Sequence, residues 1–321
     1  MLTNTFKVIR RQNLIACFIS ILTCISHLPA QTLISPAGSS GTIPGGSVSW
    51  SVGETVIGSG NVAGGIVTQG FQQPNSVRLL VNIKAFLQGP YNGAGAMTDG
   101  LRSNGYLPLM EPYSELGYAF IGGGLETTTQ PIIDLPGSNA IVDWVLLELR
   151  DKNDNTSVLH SRSALLQADG DVVDVDGFSP VVFPVPEDNY FLAIGHRNHL
   201  MIMSQSSIAL AVTPTVIDLT DGSIATYGTD AQKMVGGSYL LWAGDVTFDG
   251  TIKYTGIFND RDPILFFIGG QVATNTVTGY LPSDVNMDGT TKYTGLGNDR
   301  DIILQNIGGV IATNTRVEQM P

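Results

Sequence analysis

The chain has 321 residues, with 16 Lys and Arg against 28 Asp and Glu and a formal net charge of −12. An acidic surface of this kind is a poor partner for nucleic-acid phosphates, and a charged fraction of 14% with 38 glycines speaks for extended, turn-rich structure over a helical protein. There are 2 cysteines, Cys17 and Cys24, both near the start, so a disulfide scaffold is excluded.

Residues 1–30 read as a cleavable secretory signal. They combine a basic start (Lys7, Arg10, Arg11), an apolar run from Leu14 to Ile25 and Leu28-Pro29-Ala30 ahead of Gln31. Cys24 is an alternative lipidation point, but Thr23 fits poorly before a lipidated cysteine. Removing residues 1–30 takes away three positive charges and no acid, so the net charge of the mature chain becomes −12 − 3 = −15. The expected location is secreted, extracellular or on the outer cell surface, with no transmembrane helix in the mature chain. Without cysteines, an exported chain needs another device to hold its loops, and a bound ion stabilises by binding only the folded state.

Residues 32–76 form a short Gly/Ser-rich β segment. Ser47 to Ile57 alternates small polar and apolar residues at period two, and Gly65 to Phe71 does so more weakly, which predicts two short strands. Residues 77–243 carry denser strand signals. Leu79 to Leu87 alternates, Ala140-Ile-Val-Asp-Trp-Val-Leu-Leu-Glu-Leu-Arg150 is a buried strand with polar interruptions, and Tyr190-Phe-Leu-Ala-Ile-Gly195 is another. Turn residues punctuate these runs and no long helical period appears. The expected fold is mainly β, an antiparallel β-sandwich of about seven or more strands. Val185-Pro-Glu-Asp-Asn-Tyr-Phe-Leu-Ala-Ile194 resembles the turn-then-strand step of transthyretin-like and collagen-adhesin B-type sandwiches, with Asn189 where glycine is usual. That resemblance implies a transthyretin/Ig-like class and fixes no function.

Residues 244–321 say the same thing twice, 39 residues apart. Asp245-Val-Thr-Phe-Asp-Gly-Thr-Ile-Lys-Tyr-Thr-Gly256 leads to Asn259-Asp-Arg-Asp262, and Asp284-Val-Asn-Met-Asp-Gly-Thr-Thr-Lys-Tyr-Thr-Gly295 leads to Asn298-Asp-Arg-Asp301. Asp-x-(Asn/Thr)-x-Asp-Gly places hard oxygen ligands at alternate positions and a glycine at the sharp turn, the chemistry of a Ca²⁺ loop. Short helices are expected after Asp262 and Asp301, ending at Gly269-Gly270 and Gly308-Gly309 and packing through Ile264, Leu265, Ile268 and Ile303, Leu304, Ile307.

These repeats resemble the duplicated segments of type I dockerins. The resemblance implies a small α module with two calcium loops. Ligands in the first are Asp245, Thr247, Asp249, the Thr251 carbonyl and Asp262, and in the second Asp284, Asn286, Asp288, the Thr290 carbonyl and Asp301. Asp260 and Asp299 are the reserve closing acids. Lys253 and Lys292 stand at loop position 9, and Gly256 and Gly295 at position 12, so the loop is longer than in that family. The Asn286 loop is expected to be the tighter one. Tyr254-Thr255 and Tyr293-Thr294 fall where dockerins contact a cohesin, which makes a cohesin-like domain an implied partner.

Asp262 and Asp301 also suit a purely structural role as helix N-caps, with Pro263 at the first helical position. Asp169, Asp171, Asp174 and Asp176 read as acidic tips of paired strands joined by Asp-Gly turns. His196-Arg-Asn-His199 reads as structural, since residues three apart on a strand face opposite ways. Trp144 belongs to the core, and no nucleophile elbow, P-loop or dinucleotide fingerprint is present. Val67-Thr-Gln-Gly-Phe-Gln-Gln-Pro74, the Ile141 to Arg150 strand, the Ala168 to Gly177 segment and His196-Arg-Asn-His-Leu200 resemble exported Bacteroidota-type surface proteins labelled hemagglutinin- or adhesin-like. The implied function is non-enzymatic binding or adhesion to protein or glycan at the cell surface. The alternative is an accessory or catalytic component of an extracellular polysaccharide-degrading system.

Overall fold

The computed structural model describes residues 78–321 and, for the segment before them, the backbone of four strands. The predicted signal, with Lys7, Arg10, Arg11, Cys17 and Cys24, lies outside the described residues. Among the described residues no helix is long and apolar enough to cross a membrane. The chain divides into two units, Met1–Asn75 and Ser76–Pro321.

In the first unit β1 (Ala37–Ile43) pairs antiparallel with β2 (Gly46–Val52), and β3 (Gly58–Val62) with β4 (Gly65–Gln69). β2 and β4 fall on the two strands expected here, of which residues 53–57 and 70–71 lie outside the described residues. Their partners β1 and β3 read AGSSGTI and GSGNV, too poor in apolar residues to show a period.

The second unit is built on a nine-stranded sheet. Its strands are β5 (Leu79–Lys84), β6 (Ile141–Asp151), β7 (Asp154–Gln167), β8 (Asp171–Val173), β9 (Val181–Phe183), β10 (Asp188–His196), β11 (His199–Met203), β12 (Ile208–Leu210) and β13 (Thr215–Asp218). The order is β11-β10-β6-β7-β8-β5-β13, with β12 added to β10 and β9 to β5. All pairings are antiparallel except β5 with β13. The protein is thus mainly β with antiparallel sheets. Two single-turn helices, α1 (Gly100–Ser103) and α2 (Gln130–Ile133), lie in the long connection from β5 to β6.

β6 explains itself from its composition. Every residue from Ile141 to Arg150 is buried, so both faces of the strand are covered, and its near-continuous apolar run is what double coverage requires. Trp144 is wholly buried and spends its indole N–H on the Pro108 carbonyl at 3.0 Å. The turns anticipated around Asp169 and Asp176 are present. Gly170 sits at φ 94°, Asp174 pairs with Arg162 at 2.6 Å, and Asp176 accepts from the amides of Phe178 and Ser179.

After β13 a hairpin of β14 (Gln232–Val235) and β15 (Ser238–Leu241) leads into the duplicated segment. There the elements are β16 (Thr251–Lys253), α3 (Arg261–Phe267), β17 (Thr276–Thr278), β18 (Thr290–Lys292), α4 (Asp299–Asn306) and β19 (Thr315–Val317). Both helices stop where glycines were expected to stop them. Gly269 and Gly270 have φ of 103° and 75°, and the Gly270 amide reaches back to the Leu265 carbonyl at 2.8 Å. A second apolar cluster joins Ile264, Ile303 and Ile307 to Val246, Ile252 and Val285, and to Leu200, Trp242 and Ala243. The repeats pack on each other and share that core with residues at the end of the sheet, so the boundary drawn at 243/244 falls inside one compact unit.

The two copies are interwoven. β16 of the first copy pairs with β19, the tail of the second, while β17, the tail of the first, pairs with β18 of the second. The Thr255 hydroxyl donates to the Ala312 carbonyl at 2.9 Å and the Thr294 hydroxyl to the Ala273 carbonyl at 2.8 Å. These reciprocal crossings are the mark of an approximate two-fold relation, and they give the matched Ala-Thr-Asn-Thr tails their structural reason.

Candidate metal centre

Each loop is folded by its own carboxylates. Asp245 accepts the amides of Asp249 and Gly250 at 3.0 and 2.9 Å, and Asp284 accepts those of Asp288 and Gly289 at 3.2 and 2.8 Å. The turn between them needs the left-handed region twice. Phe248 and Met287 have φ of 56° and 59°, and Gly250 and Gly289 follow at 76° and 85°. Asn286 turns its carbonyl oxygen to the Asp288 amide at 2.9 Å. The side-chain oxygens of Asp249 and Asp288 accept from the Thr251 and Thr290 amides at 2.9 and 2.8 Å.

The acids that complete the loops are Asp260 and Asp299. Asp260 accepts the amide and hydroxyl of Thr247, both at 3.1 Å, and the Lys253 amide at 2.7 Å. Asp299 accepts from Val285, Asn286 and Lys292 at 2.7, 3.2 and 2.7 Å. Both side chains are fully buried.

Asp262 and Asp301, expected as closing ligands, are placed elsewhere. Each lies in the first turn of its helix, holds the neighbouring arginine (Arg261 at 2.8 Å, Arg300 at 3.0 Å) and stays about half exposed. They are not the caps either. The Asn259 and Asn298 side chains accept the Asp262 and Asp301 amides at 2.9 and 3.0 Å and donate back to their carboxylates. The physical reason is helix geometry: the acid at the very start of the helix, Asp260 just before it and Asp299 at its first position, faces back toward the loop, whereas two positions later the side chain has rotated by about 200°.

Electrostatics separates the two pairs of acids. Burial, and then Asp260, push Asp245 up to about 7, and burial raises Asp260 to about 6. Burial also raises Asp284 to about 6 and, with Asp284 adding to it, Asp299 to about 7. Asp262 and Asp301 are held below the usual range by Asn259 and Asn298, and then by their arginines. None of the four raised acids forms an ion pair with Lys or Arg among the described residues. Lys253 and Lys292 instead reach Asp249 and Asp288, at 3.5 and 3.0 Å. No group of three or more His, Cys, Asp or Glu converges as a metal cluster among the described residues. The oxygens each loop offers are instead those of two buried acids, one more exposed acid, an Asn or Thr side chain and a backbone carbonyl. That mixture of hard oxygens suits Ca²⁺.

The residues at positions 10 and 11 are largely occupied internally. Thr255 and Thr294 make the crossed bonds, and Tyr254 and Tyr293 lie under Arg261 and Arg300 at 5.1 and 5.0 Å.

Sequence reading left a second constellation without a partner, and the structure supplies one. His196 and His199 face each other across the tight β10–β11 hairpin, with their Nδ1 atoms 3.0 Å apart, because the chain turns between them. His196 Nε2 and Arg197 Nε both reach one Asp143 oxygen, at 3.1 and 3.0 Å, while the Tyr280 hydroxyl donates to the other at 2.6 Å. Burial works against the Asp143 carboxylate, but Arg197 and His196 outweigh it and hold its pKa low. Both histidines are lowered chiefly by burial. From the same turn Arg197 donates to the Leu281 carbonyl at 2.6 Å, and Asn198 to the carbonyls of Pro282 and Asp284 at 3.1 and 2.8 Å. The hairpin therefore grips the turn leading into the second loop. The signal for it was an acid, Asp143, in the middle of an apolar strand.

The chain matches no family model, and no curated protein or solved structure is similar to it.

Proposed function

We propose that this is an exported, surface-associated binding protein whose C-terminal duplicated segment, residues 244–321, is a dockerin-like calcium module stapling a cysteine-free β-sandwich. The observation that carries the calcium reading is the burial of Asp245 with Asp260, and of Asp284 with Asp299, each at 2% exposure or less and, among the described residues, without a Lys or Arg ion-pair partner. Buried carboxylates in such numbers call for either protons or a cation, and extracellular calcium modules bind with dissociation constants of about 10⁻⁴–10⁻³ M. Asp260 and Asp299 take the closing positions in this reading, with Asp245, Asp249, Asp284, Asp288, Asn286 and Thr247 as side-chain donors and Thr251 and Thr290 as backbone donors. The ion would supply charge neutralisation and fix the loop; the residues themselves already set the turn and keep water out.

The predominantly antiparallel pairing of the nine-stranded sheet supports the β-sandwich of transthyretin/Ig-like class. Adhesion to a protein or glycan rests on the resemblance of the segments Val67–Pro74, Ile141–Arg150, Ala168–Gly177 and His196–Leu200 to exported surface proteins, and a cohesin-like domain is the partner the dockerin resemblance implies. The test is a calcium titration of the chain by calorimetry with melting curves alongside. Calcium should raise the melting temperature; identical curves in calcium and chelator would end the calcium reading.

One observation favours a second reading, a component of a polysaccharide-degrading system. A cleft of about 310 Å³ lies between the sheet and the first loop, lined by Glu148, Arg150, Glu318, Tyr118 and Phe248. Polar groups beside aromatic rings in a cleft of that size suit a sugar. Glycan release from a polysaccharide panel would decide for it.

A further inference from the structure

Each loop has an outer turn, Phe248-Asp249-Gly250 in the first and Met287-Asp288-Gly289 in the second, and the two turns meet different neighbours. The second is plugged. A Cβ on Gly100 would stand 2.7 Å from the Met287 carbonyl oxygen, and one on Gly289 would stand 3.0 Å from a Tyr106 ring carbon and 3.1 Å from Asn104 Nδ2. That same Asn104 nitrogen donates to the Asp288 carbonyl at 3.3 Å, and Met287 is left 1% exposed. The first turn instead faces the open cleft of about 310 Å³.

The two-fold relation shows what occupies that side of the first loop. The Glu318 amide donates to the Gly250 carbonyl at 2.9 Å, as the Gly279 amide does to the Gly289 carbonyl at 3.2 Å, and 318 − 279 = 39, the repeat offset. Glu318 thus stands where the other copy has no side chain. Its carboxylate lies over Gly250, with Cδ 2.8 Å from where a Cβ would be, and no Lys or Arg pairs with it among the described residues. Across the cleft the charges are already matched. Arg150 Nε donates to one Glu148 oxygen at 2.7 Å, and the Tyr118 hydroxyl donates to the other. Glu318 and the partly exposed Asp249 remain as acceptors, beside the rings of Phe248 and Tyr118. Phe248 is held at φ 56°, a region that side chains disfavour, with its ring 6.1 Å from that of Tyr113.

We propose that this cleft binds a neutral sugar, with Glu318 accepting its hydroxyls and the Phe248 ring covering an apolar face, so that of the two loops only the first serves a ligand. The inference deepens the second reading above by naming the ligand class and the loop, and it takes from the calcium reading that the ion fixes the turn. Carboxylates accept strongly from hydroxyls, aromatic rings match the C–H face of a pyranose, and two like charges repel an acidic sugar. The volume is at the small end of ligand pockets, about 300–1,000 Å³, which fits a monosaccharide or disaccharide. Because Asp245 accepts the Gly250 amide at 2.9 Å and Glu318 rests on Gly250, calcium in the first loop should tighten sugar binding.

The experiment is calorimetry of the whole chain with glucose, galactose, mannose, N-acetylglucosamine and glucuronate, in calcium and in chelator. Binding of a neutral sugar is expected, weakened about tenfold by Glu318→Gln, which deletes a charged acceptor. Phe248→Met, which gives the first turn the residue of the second, should weaken it as well, and Asn104→Ala at the second loop should leave it unchanged. No binding by any neutral sugar, glucuronate binding as tightly, or an equal loss in Asn104→Ala overturns the inference. A calcium-induced rise in melting temperature would then still uphold the calcium reading, and glycan release the second reading. Equal affinity in calcium and chelator overturns the coupling to the loop. Should Phe248→Met fail to fold, Glu318→Gln still decides.

Discussion

Arg197 and Asp143 meet at 3.0 Å with both side chains out of water, and through that contact the sheet holds the duplicated segment. Removing one partner strands the other charge. Arg197→Met should therefore cost about 3–5 kcal/mol, and the double change Asp143→Leu with Arg197→Met should recover much of the loss. For a unit of this size that is a fall of roughly 10 °C or more in melting temperature, read by calorimetry. A single variant as stable as the parent would show the pair to be dispensable.

The identity of the closing acids is open to direct measurement. Asp260→Asn and Asp299→Asn should each remove a large part of the calcium-induced rise in melting temperature. Asp262→Asn and Asp301→Asn should leave that rise nearly intact and cost only about 0–1 kcal/mol in the metal-free protein, as expected of surface pairs. The opposite ranking would return the outer acids to the metal.

Without metal, the raised acids make a pH prediction of definite sign. An unfolded aspartate titrates near ~3.9, so between about 4 and 7 the folded chain holds a proton on Asp245 that the unfolded chain has released. This group therefore destabilises the fold above about 7 and ceases to do so as pH falls toward 4. The buried His196 and His199, lowered by burial, act the other way below ~6.5, since unfolding lets them charge more readily. A comparison isolates the aspartate. In chelator, the stability of Asp245→Asn relative to the parent should be greatest at pH 8 and decline by pH 5. A difference that does not vary with pH would mean that Asp245 is not raised.

The crossed threonine bonds make a fourth prediction. Thr255→Val and Thr294→Val keep the shape and delete a hydroxyl, so each should lower stability by about 1 kcal/mol, seen as a shift in denaturant midpoint at constant slope. Because the bonds are equivalent by the two-fold relation, unequal losses would show that one copy depends more on its neighbour.

Much of this was legible in the sequence, and the parts that were not share a cause. The 39-residue repeat, the Asp-Gly turns, the terminating glycines and the buried β6 strand are local signals, set by neighbours a few residues away. β1 and β3 are written in glycine and serine and left no period to read. Asp260 and Asp262 are equivalent on paper, and only the start of the helix decides that Asp260 is buried and Asp262 about half exposed. The grip of His196-Arg-Asn-His199 on residues 280–284 spans more than eighty residues of chain, a separation no pattern reveals.

The interweaving of the copies also sets an order of events. β17 and β18 are separated by little more than a short connection, whereas β16 must wait for β19 some sixty residues later. Loop closure grows costlier with length, and distant pairings form late. The first loop to be synthesised is thus the last to be finished, and pulse-labelled amide exchange during refolding should find Thr276–Thr278 protected before Thr251–Lys253.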